Sequence, residues 1–232
     1  MTEKQIAQLL GKAADEIGDE YADLMEEAER MIRESDDDTS IAVVIAWFLS
    51  SFESLLRRGV ADGINLGLTL LSTTYGVALT SGNQGAAEIS AVMDLVKAEI
   101  TASRNAIGVS AAQTGLREID LAKTQLFTPR RKYHMRQALD IAVARAPQAA
   151  IFEAGKAGQV FPFKKAVAVL DSHTTALCRG MNGQVVPWDK PFIGPNGSQW
   201  QYPPFIGQQA VPGMHFCRTV MVPVKEMPRN ET

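Results

Sequence analysis

Hydrophobic positions in the first two thirds of the chain recur every three or four residues, a period that predicts helices. Over residues 3–34, Ile6, Leu10, Ala13, Ile17, Leu24, Ala28 and Met31 mark one amphipathic seam, interrupted at Glu20, suited to packing on another helix of this chain or of a partner. Thr2 offers a cap, and Gln5, three residues on, completes a capping box. Asp36-Asp37-Asp38-Thr39 then breaks the pattern and supplies caps for a second helix, from Ile41 to about Val60, rich in bulky side chains such as Trp47, Phe48, Phe52 and Leu56. A third helix follows in an uncharged stretch, with a break at Gly82-Asn83 and Gly85. A fourth runs from Ala86 to about Ser103 and a fifth from Ile107 to about Leu126. Thr128-Pro129 restarts a sixth, because proline is preorganised for the first helical position. Pro147 is expected to kink it or end it early, and Gly155 and Gly158 close the helical region.

After Phe161 the pattern turns to short β segments. Residues 165–170, residues 184–187 behind the hairpin-turn signal Asn182-Gly183, and residues 217–224 read as strands. The prolines and glycines between Pro187 and Pro212 predict an irregular loop pinned by Phe192, Trp200, Tyr202 and Phe205, with Trp188 and Trp200 as anchors. The expected fold is therefore α+β. A mostly helical N-terminal region of about six helices (residues 1–158) precedes a small irregular β-rich C-terminal module (residues 159–232).

Composition refines this picture in three ways. The chain has 232 residues, 46% of them apolar and 21% charged, which is ordinary globular usage. The net charge of -3 hides an asymmetry: residues 1–38 carry thirteen acids against four bases, and the remainder thirteen against nineteen. A mildly basic body tolerates nucleic acid nearby without being a dedicated binder. The opening turns are acidic and polar, which predicts no secretory leader, and two cysteines are too few for a disulfide framework. No charge occurs between Asp62 and Glu88, a length that would span a bilayer. About half of that stretch is Gly, Ser, Thr, Asn or Gln, so a bundle helix is expected and no membrane contact.

The residues with distinctive chemistry lie in the last third. His173 and Cys178 flank a turn-prone segment, while His215 and Cys217, two apart, share one face of an extended strand. Three readings stand: a tetrahedral structural zinc site of His173, Cys178, His215 and Cys217; a Cys178–Cys217 disulfide; or two buried thiols and two hydrogen-bonded imidazoles. A Cys/His nucleophile pair, with Asp171 as orienting group, is the enzymatic alternative, a cytoplasmic hydrolase or transferase. Arg179 and Arg218 each follow a cysteine and are placed to clamp the module against Asp171 and Asp189.

The run Leu170-Asp171-Ser-His173-Thr174-Thr175-Ala-Leu-Cys178-Arg179-Gly180-Met-Asn182-Gly183-Gln-Val-Val-Pro187, followed by Pro203-Pro204, His215-Phe216-Cys217-Arg218-Thr219 and Val222-Pro223, resembles the phage Mu F-like minor head proteins, or head morphogenesis proteins. The match covers roughly residues 159–225. Here Thr219 stands where the family more often has a further cysteine, and the His215–Cys217 spacing is one residue tighter than the commoner form. The resemblance implies a non-enzymatic virion component, assembled in the host cytoplasm and placed in the capsid interior or at the portal vertex. Portal and capsid proteins would be its partners, further copies of the chain could join it within the particle, and it would assist head assembly, DNA packaging or ejection.

Arg130, Arg131, Lys132 and Arg136, with His134, form a basic run at the start of the sixth predicted helix. It reads either as a solvated face or as a contact for packaged DNA phosphates or an acidic portal surface. A non-specific DNA-binding ejection protein is the further alternative that this run supports.

Overall fold

A computed structural model describes residues 3–76, 85–158, 161–170, 174–203 and 219–227. The fold is α+β, with a mostly helical N-terminal region and a small β-rich C-terminal module. Among the described residues the helical region holds five helices where about six were expected: α1 (Glu3–Glu34), α2 (Asp38–Tyr75), α3 (Ala86–Thr114), α4 (Glu118–Gln125) and α5 (Pro129–Gly158).

The Asp37 carboxylate starts α2 as expected, accepting from the Ser40 amide at 2.7 Å. The cap expected at Thr2 lies outside the described residues. The predicted second and third helices are one, because α2 passes unbroken through Gly59, Gly63 and Gly67. Interior glycines ordinarily weaken a helix. These three lie every fourth residue, all buried, on the side that meets α5. A Cβ on Gly67 would sit 2.6 Å from the Pro147 carbonyl oxygen and 2.9 Å from its Cα. One on Gly63 would meet Pro147 Cδ at 3.0 Å and the Val143 oxygen at 3.2 Å. Pro147 has no N–H to offer the carbonyl four residues back, Val143, so Gly63 leaves room beside an acceptor that the helix itself does not use. With this support α5 continues through Pro147 to Gly158 instead of ending early.

The boundary expected between Ser103 and Ile107 does not occur. Helix α3 runs on to Thr114 and stops at Gly115, whose φ of 73° is left-handed and whose amide donates to the Ala111 carbonyl. Thr128 then caps α5 through its hydroxyl and its carbonyl. The break expected at Gly82-Asn83 lies outside the described residues, and Gly85 is the N-cap of α3.

The α1 seam also differs in register after its interruption. Ile6, Leu10, Ile17 and Ala28 are buried as expected, but beyond Ile17 the buried positions are Tyr21, Met25, Ala28 and Ile32, with Leu24 and Met31 half-buried beside them. By length and composition α2 could cross a membrane. In the fold its Phe48, Phe52, Leu56 and Val60 form the centre of the helical core, where Phe48 meets Phe127 at 5.1 Å between ring centroids.

The module contains β1 (Phe163–Val167), α6 (Ala176–Met181), β2 (Val185–Pro187), β3 (Phe192–Ile193), β4 (Gln199–Trp200) and β5 (Val220–Val224). The main sheet is antiparallel in the order β2-β1-β5, with Lys165 opposite both Val185 and Val222. Asn182-Gly183 is not the hairpin turn expected of it, because α6 lies between β1 and β2 and the turn joins α6 to β2. Part of the expected irregular loop is instead a hairpin of β3 and β4, pairing Phe192 with Trp200.

Alternation along the strands gives the sheet two apolar faces. Val167, Val220 and Val222 pack with Ile6 and Leu10 of α1 and Leu70 of α2. Ala166 and Met221 pack on the other side with Ile151 and Phe152 of α5, Leu71 of α2 and Trp188. The module therefore shares its core with the ends of three helices.

Candidate functional site

Residues 174–187, the described part of the run that carries the resemblance, form a short helix and a turn stitched to β1. Thr175 caps α6, its hydroxyl accepting from the Cys178 amide at 3.3 Å. The Thr174 hydroxyl donates to the Val169 carbonyl, and Arg179 Nε donates to the Thr174 carbonyl at 3.0 Å. Asn182 (φ -60°, ψ 129°) and Gly183 (φ 82°) make a type II turn closed by the Gln184 amide on the Met181 carbonyl at 3.1 Å. A side chain at Gly183 would be strained at that φ. The Asn182 carboxamide oxygen accepts from the Ala168 amide at 2.9 Å, and Gly183 donates to the Ala166 carbonyl at 2.8 Å, so the turn is stitched to the end of β1. Gln184 in turn grips Ile193, accepting from its amide at 2.7 Å and donating to its carbonyl at 3.0 Å.

Of the proposed ligand set, Cys178 is described: it is 3% exposed, in the apolar cluster with Ala166, Met181, Phe192 and Met221. His173, His215 and Cys217 lie outside the described residues, as do Asp171 and Arg218 of the expected clamp. No group of three or more His, Cys, Asp or Glu placed to hold a metal occurs among the described residues. Asp189 is exposed and lies 3.8 Å from Lys190.

The most unusual group in the module is Lys164, whose side chain is fully buried. Its ammonium donates to the Trp188 carbonyl at 3.2 Å and to the Gln201 backbone and side-chain oxygens at 2.7 and 3.3 Å. It also faces the rings of Phe152 and Phe192, 4.6 and 5.1 Å from their centroids. Burial lowers its pKa to about 8, with the Lys156 charge acting in the same sense and Asp189 opposing. One side chain thus joins β1 to α5, to the loop after β2 and to the end of β4. The strand expected over 165–170 left this residue out. Yet a strand begun one residue earlier places Lys164, Ala166 and Ala168 on one face, and that face is buried. Gln148 of α5 is a second such tie, its carboxamide oxygen accepting from the Met221 amide at 2.6 Å.

The basic run on α5 is neither a simple solvated face nor a continuous patch. Lys132 pairs with Glu29 of α1 at 2.7 Å. Arg131 donates to the Gln125 carbonyl at 2.8 Å and shares Glu99 of α3 with His134. Arg136 Nε contacts both oxygens of Asp140 at 2.7 and 2.9 Å, and its Nη1 donates to the Gly18 carbonyl of α1. Arg130 remains exposed. These cations tie α5 to α1 and α3, with the Tyr21 hydroxyl donating to the Lys132 carbonyl at 2.8 Å as a further link.

Asp140 is fully buried. Burial raises its pKa to about 7 against the opposing Arg136 charge, and Asp15 adds to the rise. A carboxyl raised on folding contributes stability that is complete below its unfolded value and is lost as pH climbs through the folded one. Stability from this group should therefore fall between about pH 4 and about pH 7. Thermal melts across that range should show a shallower fall, or a rise, in Asp140→Asn. Parallel profiles for the two proteins would show that Asp140 does not titrate there.

Two clefts lie away from the module. An apolar groove of about 430 Å³ runs between α3 and α5. A more polar one of about 470 Å³ lies where α1 turns into α2, over Met31, Asp36 and Val43. No protein-family model, no curated protein and no solved structure matches the chain.

Proposed function

We propose that this chain is a structural minor head protein of a phage, held at the portal or inner capsid, where it assists head assembly, DNA packaging or ejection. The observation that carries this reading is how the motif residues are used. Thr174, Thr175, Arg179, Asn182 and Gly183, which resemble the Mu F-like pattern, are all engaged in fixing backbone. A motif spent on architecture suits a shared end module better than a reaction centre. Cys178 is packed in the core, whereas a thiol nucleophile needs access and an activating neighbour. The basic run is largely consumed by internal pairs, which favours protein partners over packaged DNA. The His173, Cys178, His215 and Cys217 set stays with this proposal as a structural zinc site or a Cys178–Cys217 bridge.

Purified particles of the encoding phage test the reading. The chain should be present in them, resist added protease while the head is intact, and become cleavable once the head is opened. Its absence from particles, or its cleavage on intact ones, would overturn the placement inside the head.

A further inference from the structure

Among the described residues, two buried side-chain polar atoms have no hydrogen-bond partner: Nε2 of Gln148 and Oγ1 of Thr219. Gln148, in α5, is 1% exposed, and Thr219, the residue before β5, is 3% exposed. A buried amide or hydroxyl left unpaired costs stability, so such atoms are rare and each calls for a cause. The two converge on one place. The Ala166 amide donates to the Gln184 carbonyl at 3.0 Å, and the Ala166 carbonyl accepts from the Gly183 amide at 2.8 Å, so both groups turn away from β5. Met221 lies opposite Ala166. In an antiparallel ladder the Met221 amide and carbonyl then point to the outer edge of the sheet. Gln148 Oε1 takes that amide at 2.6 Å, which leaves Nε2 of the same carboxamide beside an edge that also carries the buried Met221 carbonyl. Alternation carried two residues back from Met221 turns the Thr219 side chain to the same face, where Met221 packs with Ile151 and Phe152 of α5.

We propose that this place binds one ordered water molecule, which accepts from Gln148 Nε2, bonds Thr219 Oγ1 and donates to the Met221 carbonyl. The chemistry of the three groups selects it. An amide nitrogen only donates, a hydroxyl donates and accepts, and a carbonyl only accepts, so the bridging group must both take and give hydrogens. A buried water typically makes about three such bonds. An anion has no hydrogen to give the carbonyl, and a metal ion would face the N–H hydrogens of Gln148. The water ties α5 to the edge of β5, so one contact between the helical region and the C-terminal module runs through solvent held inside the protein. The inference stands independently of the viral reading.

A crystal structure of the full chain, at a resolution that orders buried solvent, tests it. A water is expected within hydrogen-bond distance of both Gln148 Nε2 and Thr219 Oγ1. Thr219→Val keeps the shape and removes the hydroxyl, and it gives a second readout. With the water bridged, the melting temperature should fall by about 3 °C. A hydroxyl buried without any bridge would instead be relieved by the methyl, and the melting temperature would rise. In a Gln148→Met background, where the carboxamide is gone, Thr219→Val should lose most of its effect. The crystal structure keeps the test open even if Gln148→Met, which also bares the Met221 amide, folds poorly. No water at the site, a direct bond between the two side chains, a rise in melting temperature in Thr219→Val, or an equal loss in the Gln148→Met background would each overturn the proposal.

Discussion

Lys164→Ala is expected to cost about 4 kcal/mol of stability. The ammonium is the donor to the Trp188 and Gln201 carbonyls, and its stem fills the space between Phe152 and Phe192. Truncation strips both acceptors of a donor and opens a void among aromatic rings. Lys164→Met separates these effects. It restores the stem and leaves the carbonyls bare, so about half of the loss should remain, roughly 2 kcal/mol. Trp188 reports locally, because its indole N–H donates to the Phe161 carbonyl at 2.5 Å and its ring packs near Phe152. Both variants should change the near-UV signal of the tryptophans before global melting.

The same residue gives a signed pH dependence. Its pKa is depressed on folding, so the stability it contributes is complete above its unfolded value and is lost as pH falls through the folded one. Stability should therefore rise between about pH 8 and about pH 10.5 in the native protein. Chemical denaturation over that range should show the rise, and it should vanish in Lys164→Met. A rise of equal size in the methionine variant would assign the titration to another group.

Gly67→Ala is expected to cost about 3 kcal/mol, or roughly 10 °C in melting temperature for a chain of this length. The added methyl would meet the backbone of Pro147 on two atoms, at 2.6 and 2.9 Å, and backbone cannot swing aside as a side-chain tip can. Gly63→Ala meets its neighbours at 3.0 Å and beyond and should cost about 1 kcal/mol. Gly108 provides the control, since its nearest neighbour is a Glu118 carboxylate oxygen at 3.7 Å. Gly108→Ala should be neutral or gain up to about 1 kcal/mol through helix propensity alone. Thermal denaturation of the three variants side by side checks the series. A Gly67→Ala protein as stable as Gly108→Ala would refute the close approach of α2 and α5.

These glycines show where sequence reasoning reached its limit. Element type was legible because it rests on local periodicity: the single helix α1, the Asp37 cap of α2 and the Thr128-Pro129 start of α5 occur where the pattern places them. Element continuity was not, because it was decided by what each helix meets. Gly59, Gly63 and Gly67 look like weak points in isolation and become the contact surface once α5 lies against them. Tyr21 behaves similarly. The expected seam passes over Tyr21 to Leu24, yet the Tyr21 ring is buried against Phe52, 6.0 Å between centroids, with its hydroxyl tied to Lys132.

The candidate site was legible in part for a related reason. Asn182-Gly183 announces a turn from its residue types, but not whether strand or helix precedes it. Lys164 was hidden by its charge, since a lysine at the edge of a strand is ordinarily assigned to solvent. Arg131, Lys132 and Arg136 looked like an outward patch because their partners, Glu29, Glu99 and Asp140, lie on other helices or a turn further on.

The proposed head protein sits at the portal or the inner capsid, and the portal placement requires that it bind the portal ring of its phage. Co-expressing the two and passing the lysate over a tag on the portal ring is the most direct test. The account predicts that the chain elutes with the assembled ring in size-exclusion chromatography, in fewer copies than the capsid protein contributes to a head. A chain that elutes wholly apart from an intact ring, under conditions where both are folded, would contradict it.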